Sequence, residues 1–151
     1  AQVRVLEPEW LRDRIAAVQK RVADATPVKL AFYDTGEDQI GVYGSGLNAD
    51  MIALAGGENV FADQPEVYLQ VSKEAFATKP VESFAVIDYG GAAGVPDEQA
   101  RADFLFKTFP TMPASQNKRW VPVSGAAYAA GIRIPEAIEV LAKALHPDAF
   151  K

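Results

Sequence analysis

Residues 28–38 read Val-Lys-Leu-Ala-Phe-Tyr-Asp-Thr-Gly-Glu-Asp, an apolar run that stops at an acidic turn. Only Lys29 interrupts Val28 to Tyr33, and a run that is apolar on both alternations suits a strand covered on both faces, the kind found at the centre of a parallel sheet. Upstream, Glu7 to Ala25 carries Trp10, Leu11, Ile15, Val18 and Val22 at helical spacing, with Arg12, Arg14, Lys20 and Arg21 on the other face. This is the pattern of an amphipathic helix, opened near Pro8 and ended by Thr26-Pro27. Downstream, Ile40 to Gly46 precedes a helix from Leu47 to Leu54, closed by Gly56-Gly57, which tolerate the left-handed cap conformation. Asn59 to Phe61 reads as a shorter strand, and Ser72 as the N-cap of a brief helix from Lys73 to Thr78. Ser83 to Tyr89 is the next buried strand. A loop with Gly90, Gly91 and Gly94 leads to a helix that starts at Pro96-Asp97 and runs to Phe109, after which Pro110 and Pro113 punctuate the chain. Arg119 to Val123 is a last strand, placed at an edge or irregular position by Pro122. Ile134 to Leu145 forms the closing helix before His146-Pro147. Strands alternating with helices at these spacings predict an α/β fold in three layers, with a mostly parallel sheet of four to five strands flanked by helices.

Composition narrows the function. The chain has 151 residues, 49% hydrophobic and 23% charged, enough for one domain with an ordinary core. No apolar run approaches the roughly 18 residues a membrane span needs, so no membrane insertion is expected. A net charge of -5, with 15 Lys and Arg scattered along the chain, argues against nucleic acid, whose binding depends on a basic patch that releases counterions. With no Cys and one His, thiolate chemistry, disulfides and a His-based metal site are all excluded from this chain's own resources. The chain starts at Ala1, without an initiator Met, an apolar export segment or a lipidation Cys, so any targeting segment is expected in a longer parent.

The residues for catalysis are sparse. No Ser, His and Asp set with a recognisable local motif is present, and His146 falls where a helix C-terminus favours an imidazole. Gly41, Gly44 and Gly46 bracket a loop before a helix, but neither a dinucleotide fingerprint nor a Gly-Lys-Ser/Thr follows. The tyrosines carry more information. Tyr33 ends the first strand, Tyr43 follows it, Tyr68 precedes the Ser72 helix, Tyr89 ends the third strand and Tyr128 follows the last. Ligands of open α/β sheets bind outside the strands' carboxyl edge, and tyrosine offers a broad apolar face with a polar tip. The alternative for Tyr33 and Tyr89 is that they are half-buried strand residues, since tyrosine favours strands.

The order of segments resembles the C-terminal lobe of substrate-binding proteins of bacterial ABC importers for iron-siderophores, haem and cobalamin. The resemblance rests on Tyr43-Gly44-Ser45-Gly46, Asp50-Met51-Ile52, Ala55-Gly56-Gly57-Glu58-Asn59-Val60 and Gln70-Val71-Ser72-Lys73-Glu74. It continues with Phe84 to Ile87, Asn117-Lys118-Arg119-Trp120-Val121, Gly131-Ile132-Arg133 and the stretch from Ala137-Ile138 to Leu145-His146-Pro147. It implies that residues 1–26 end an interlobe linker helix and that residues 27–151 form one jaw of a two-lobed clamp whose N-terminal lobe is not in this chain. It implies capture of a metal chelate or other small organic ligand for delivery to an ABC permease, in the periplasm or outside the cell, with a membrane tether expected in the full-length parent, and with no catalysis and no cofactor. Tyr33, Asp34, Tyr43, Tyr68, Tyr89 and Tyr128 are then the ligand-facing residues, and Glu74 the carboxylate that docks onto a permease arginine. Glu74 also fits the first turn of a helix on dipole grounds alone. Arg133 either lines the cleft or pairs with Glu136. The Gly- and Ala-rich stretch from Tyr89 to Pro96 departs from the simple loop usual in that family. Two other classes remain open: a small-molecule enzyme or chelatase domain using Asp34, Asp88 and Glu37 as acid or base, and an interaction domain whose apolar patch is its binding surface.

Overall fold

A computed structural model describes residues 9–124 and 134–151. Its strands are β1 (Val28–Tyr33), β2 (Gln39–Tyr43), β3 (Gly57–Asn59), β4 (Tyr68–Ser72), β5 (Ser83–Asp88) and β6 (Trp120–Ser124). Its helices are α1 (Glu9–Val22), α2 (Leu47–Leu54), α3 (Lys73–Ala77), α4 (Glu98–Thr108), α5 (Pro113–Gln116) and α6 (Ile134–Leu145), followed by a 3-10 turn at Pro147–Phe150. All six strands join one sheet in the order β4-β2-β1-β5-β6, with β3 beside the first half of β1.

Alternation along β1 creates the three layers. Val28, Leu30 and Phe32 face α1, α2 and α6, where Val18, Val22, Met51, Ile52, Ile138, Leu141 and Leu145 close the first core. Ala31 and Tyr33 face the opposite layer, with Phe61, Phe76, Leu105, Phe106, Phe109 and Met112 from α3, α4, α5 and their loops. Both faces of β1 are therefore dry, as its continuous apolar run requires. α1 docks on α6 through Arg14, whose Nε and Nη2 donate to the two carboxylate oxygens of Glu139 at 2.8 and 2.9 Å.

The sheet differs from the sequence expectation in two respects. It has six strands rather than four or five, because Gln39–Tyr43 and Tyr68–Ser72, neither of them a strand in the sequence reading, pair antiparallel with each other along the whole length of β4. As an edge strand it is half covered, so its apolar signal is weak. The short strand expected at Asn59–Phe61 lies two residues earlier, at Gly57–Asn59, parallel to Val28–Leu30. Gly57 allows that approach: a Cβ there would sit 2.9 Å from Leu30 Cδ2 and 2.8 Å from Ile52 Cγ2. Parallel pairing joins β1 to β3 and β5, and β5 to β6, while β1–β2 and β2–β4 are antiparallel. The short α5 begins at Pro113, a residue suited to the first helical position, and was not separated from the surrounding prolines by its spacing. β6, with Pro122 inside, lies at the sheet edge as expected.

Candidate functional site

β1 and β5 run parallel, with Tyr33 opposite Val86 and β5 continuing two residues further, so both Asp34 and Tyr89 leave the sheet at its carboxyl edge. β2 returns antiparallel to β1 and brings Tyr43 back beside it, directly opposite Tyr68 of β4. The rings of Tyr43 and Tyr68 meet edge-on at 5.6 Å, and Tyr43 meets Phe32 at 5.1 Å. Gly41 makes this possible: a Cβ there would lie 2.4 Å from the Tyr68 hydroxyl, so the phenol crosses the strand where a side chain would block it.

The backbone under this aromatic pair is held by Asn59. Its buried amide Nδ2 donates to the carbonyls of Tyr43 (2.9 Å) and Gly44 (3.1 Å), while its Oδ1 accepts from the Phe61 N–H (3.1 Å). Gly44 and Ser45 then bond through their N–H groups to the carbonyls of Val67 and Glu66, which fixes the start of β4 and hence Tyr68. A Cβ at Gly44 would lie 2.3 Å from the Glu66 carbonyl oxygen, so only glycine permits the approach. The Gly-Gly-x-Asn turn thus positions both tyrosines from beneath. His146 completes the support from the other end: its Nε2 lies 2.7 Å from the Gly56 carbonyl, which makes Nε2 the protonated nitrogen.

On the β5 side, the Tyr89 hydroxyl donates to Asp34 Oδ1, and Asp88 Oδ1 accepts from the Gly90 N–H at 2.7 Å. Burial raises the Asp34 carboxyl above the ordinary aspartate value, against a smaller lowering by the nearby Arg101 charge. Asp88 moves the other way, held down first by a hydrogen bond with the Glu98 carboxyl and then by the Gly90 N–H. Burial also pushes the phenols of Tyr33 and Tyr43 up to about 12. No hydrogen bond joins Asp34 to Asp88 among the described residues, and no cluster of three potential metal ligands occurs among them.

The residues singled out from the sequence separate into groups. Along this rim Tyr43 meets Tyr68 and Asp34 meets Tyr89, with Tyr68 and Tyr89 respectively 41% and 40% exposed. Tyr33 does not share that surface. It is 1% exposed, stacks on Phe104 of the α4 layer, and donates its hydroxyl to the Gly36 carbonyl at 2.8 Å, bracing the acidic turn from below. Tyr33 is therefore a strand residue, buried more completely than the half-buried alternative supposes. Glu37 is exposed on the same turn. Glu74 is exposed in the first turn of α3, whose N-cap Ser72 accepts from the Ala75 N–H at 3.1 Å. Tyr128 and Arg133 lie outside the described residues. Sequence reasoning missed Arg101, which reads as one more polar position of an amphipathic helix, and gave Asn59 no role of its own. A separate pocket of about 280 Å³ opens beyond β6, lined by Asp88, Val123, Ser124, Glu136, Ala137 and Val140.

Comparison with solved structures fits the topology. A periplasmic binding protein from Veillonella parvula superposes with a TM-score of 0.81 at 20% identity, over 91% of this chain and 48% of its own. The periplasmic haem-binding protein RhuT from Roseiflexus superposes at 0.70 with 26% identity, over 92% of this chain and 54% of its own. The chain has the fold of one lobe of a periplasmic substrate-binding protein. A third structure, from an Fe3+-hydroxamate ABC transport system of Saccharomonospora viridis, matches the lobe at a TM-score of 0.69 and 20% identity, over 93% of this chain and 47% of its own. The lobe therefore spans about half the length of the solved structures it matches. No protein-family model matches it, and no curated protein is similar enough to count as a relative. Among the described residues, no helix is long and apolar enough to cross a membrane.

Proposed function

We propose that the chain is the C-terminal jaw of a two-lobed clamp that captures a metal chelate of the haem, siderophore or cobalamin kind and delivers it to an ABC permease. The observation that carries this reading is the coverage: more than nine-tenths of this chain superposes on proteins twice its length, among them a haem-binding protein and a component of an Fe3+-hydroxamate transport system. Residues 27–151 are the lobe, and residues 1–26 end the helix that joins it to its partner lobe. Tyr43, Tyr68 and Tyr89 offer ring faces to an organic ligand, and Asp34 offers a carboxylate acceptor beside them. Tyr128, on the segment after β6, joins them on the resemblance alone. Closure of two lobes excludes water and multiplies these contacts, so affinity belongs to the pair of lobes rather than to either one. Glu74, exposed at the start of α3, docks onto an arginine of the permease. No step of chemistry is assigned to the lobe, and its place is the periplasm or cell exterior, tethered through a longer parent.

The test is calorimetric titration with haemin and with ferrioxamine B. In the two-lobed parent, Tyr68→Ala is expected to weaken the bound chelate about tenfold, equivalent to about 1.4 kcal/mol. Unchanged affinity removes Tyr68 from the clamp. Submicromolar binding by the 151-residue chain alone overturns the one-jaw reading.

A further inference from the structure

Arg101, in the first turn of α4, is only 4% exposed. A buried guanidinium is normally compensated by a carboxylate, yet among the described residues Arg101 forms no salt bridge, and every hydrogen bond it donates ends on a backbone carbonyl. Nε donates to Pro96 O at 3.0 Å, Nη1 to Asp34 O at 2.6 Å, and Nη2 to Ile87 O. Those carbonyls belong to three segments: the loop before α4, the turn after β1, and the end of β5. Lysine, a point charge on a flexible stem, has no planar fork with which to serve three divergent acceptors.

The Tyr89 ring lies over the same guanidinium, 5.4 Å from centroid to Cζ, and its hydroxyl donates to Asp34 Oδ1. Residue 34 is therefore held through Arg101 by its carbonyl and, by its carboxylate, from a tyrosine seated on Arg101, while its N–H donates separately to the Gly41 carbonyl at 2.9 Å. The chain beyond Tyr89 supplies little else. Gly90, Gly91 and Gly94 all have positive φ, and a Cβ on any of them would meet no atom within 4 Å. These three glycines bring no side chain to pack on the Tyr89 ring. We propose that Arg101 is the positioning residue of the rim: it fixes the Tyr89 ring and the Asp34 carboxylate in the geometry a ligand meets, without touching the ligand itself. This rests on the reading of the rim as a ligand surface, but its first readout does not.

The experiment compares the 151-residue chain with its Arg101→Lys variant by NMR, and the same pair in the two-lobed parent by haemin titration. The expected result is a cooperative fold with loss of the nuclear Overhauser contacts between the Tyr89 ring and Asp34. Haemin binding should weaken as much as in Tyr89→Ala, with the double variant no worse than either single one. Retained contacts in a folded Arg101→Lys chain overturn the proposal, because Arg101 is then only a brace for α4. If that variant does not fold, Tyr89→Leu decides. Loss of the ring must shift the Arg101 guanidinium proton resonances, and unchanged resonances overturn the proposal. Lost Tyr89–Asp34 contacts with unchanged haemin affinity would leave the positioning role standing and sink the ligand reading of the rim.

Discussion

Replacing Asn59 removes a side chain that ties the end of β2, the loop after it and the exit from β3 together. Its amide is 5% exposed and makes three hydrogen bonds to backbone groups of Tyr43, Gly44 and Phe61. At a net value of about 1 kcal/mol per bond, Asn59→Ala should cost about 3 kcal/mol. For a domain of this size that lowers the Tm by roughly 6–12 °C. Asn59→Asp sharpens the test, because it keeps the acceptor for the Phe61 N–H but turns a carboxylate oxygen toward two carbonyls. Burial and those carbonyls raise the introduced carboxyl above its unfolded value. The stability it contributes is present below the unfolded pKa and is lost as pH rises through the folded one. The Asp variant should be less stable than the Ala variant at about pH 8 and recover ground at about pH 4. Urea denaturation followed by circular dichroism measures both, and hydrogen exchange at Gly44 and Ser45 should quicken, since their amides anchor β4 to this turn. A cost below about 1 kcal/mol for Asn59→Ala, or an Asp variant indifferent to pH, would refute the claim that this amide supports the rim.

Gly56→Ala should cost about 2–3 kcal/mol in denaturant, from a φ of +82° that alanine resists and a Cβ only 2.8 Å from His146 Nε2. Adding His146→Ala should absorb part of that penalty, whereas full additivity would mean that the two do not meet. In an alkaline titration of phenolate absorbance, Tyr33 and Tyr43 should ionise last, near 12. Their raised values add stability that is fully present below the ordinary value of 10.0 and is lost as pH rises toward about 12. Five phenols ionising together near 10 would show that neither ring is shielded. A double-mutant cycle on Arg14 and Glu139 should return a weak favourable coupling, since the pair is bidentate but partly exposed and screened by solvent. That coupling should be present above the ordinary carboxylate range and fade on acidification, because Arg14 holds the Glu139 carboxyl below its usual value. A coupling that survives acid would place the α1–α6 contact in packing alone.

Much of the architecture was legible because local patterns and burial agree. Val28–Tyr33, Leu47–Leu54 and Ile134–Leu145 fall where their apolar periods put them. The antiparallel β4 was not legible, since Tyr68–Ser72 is partly exposed along its length and its partner strand is distant from it in the chain. The rim was partly legible. Tyr43, Tyr68 and Tyr89 could be picked out as amphipathic residues near loops, but Tyr33 could not be assigned to a face until its register with Val42 and Val86 was known. A one-residue change of phase separates a ring that meets solvent from one that meets Phe104.

Sequence alone determined that this is an α/β chain with a doubly covered central strand, no thiol chemistry and a single imidazole, because those follow from periodicity and composition. Tertiary structure decided which tyrosines share a surface, that Asn59 and His146 serve backbone carbonyls, and that a helix arginine lies buried beneath the rim. The physical reason is that a side chain's partners across the sheet are set by register and by the layer it enters. Neither quantity is written in the residues beside it, and Arg101 looks like any exposed helix position until β1 and β5 end against it.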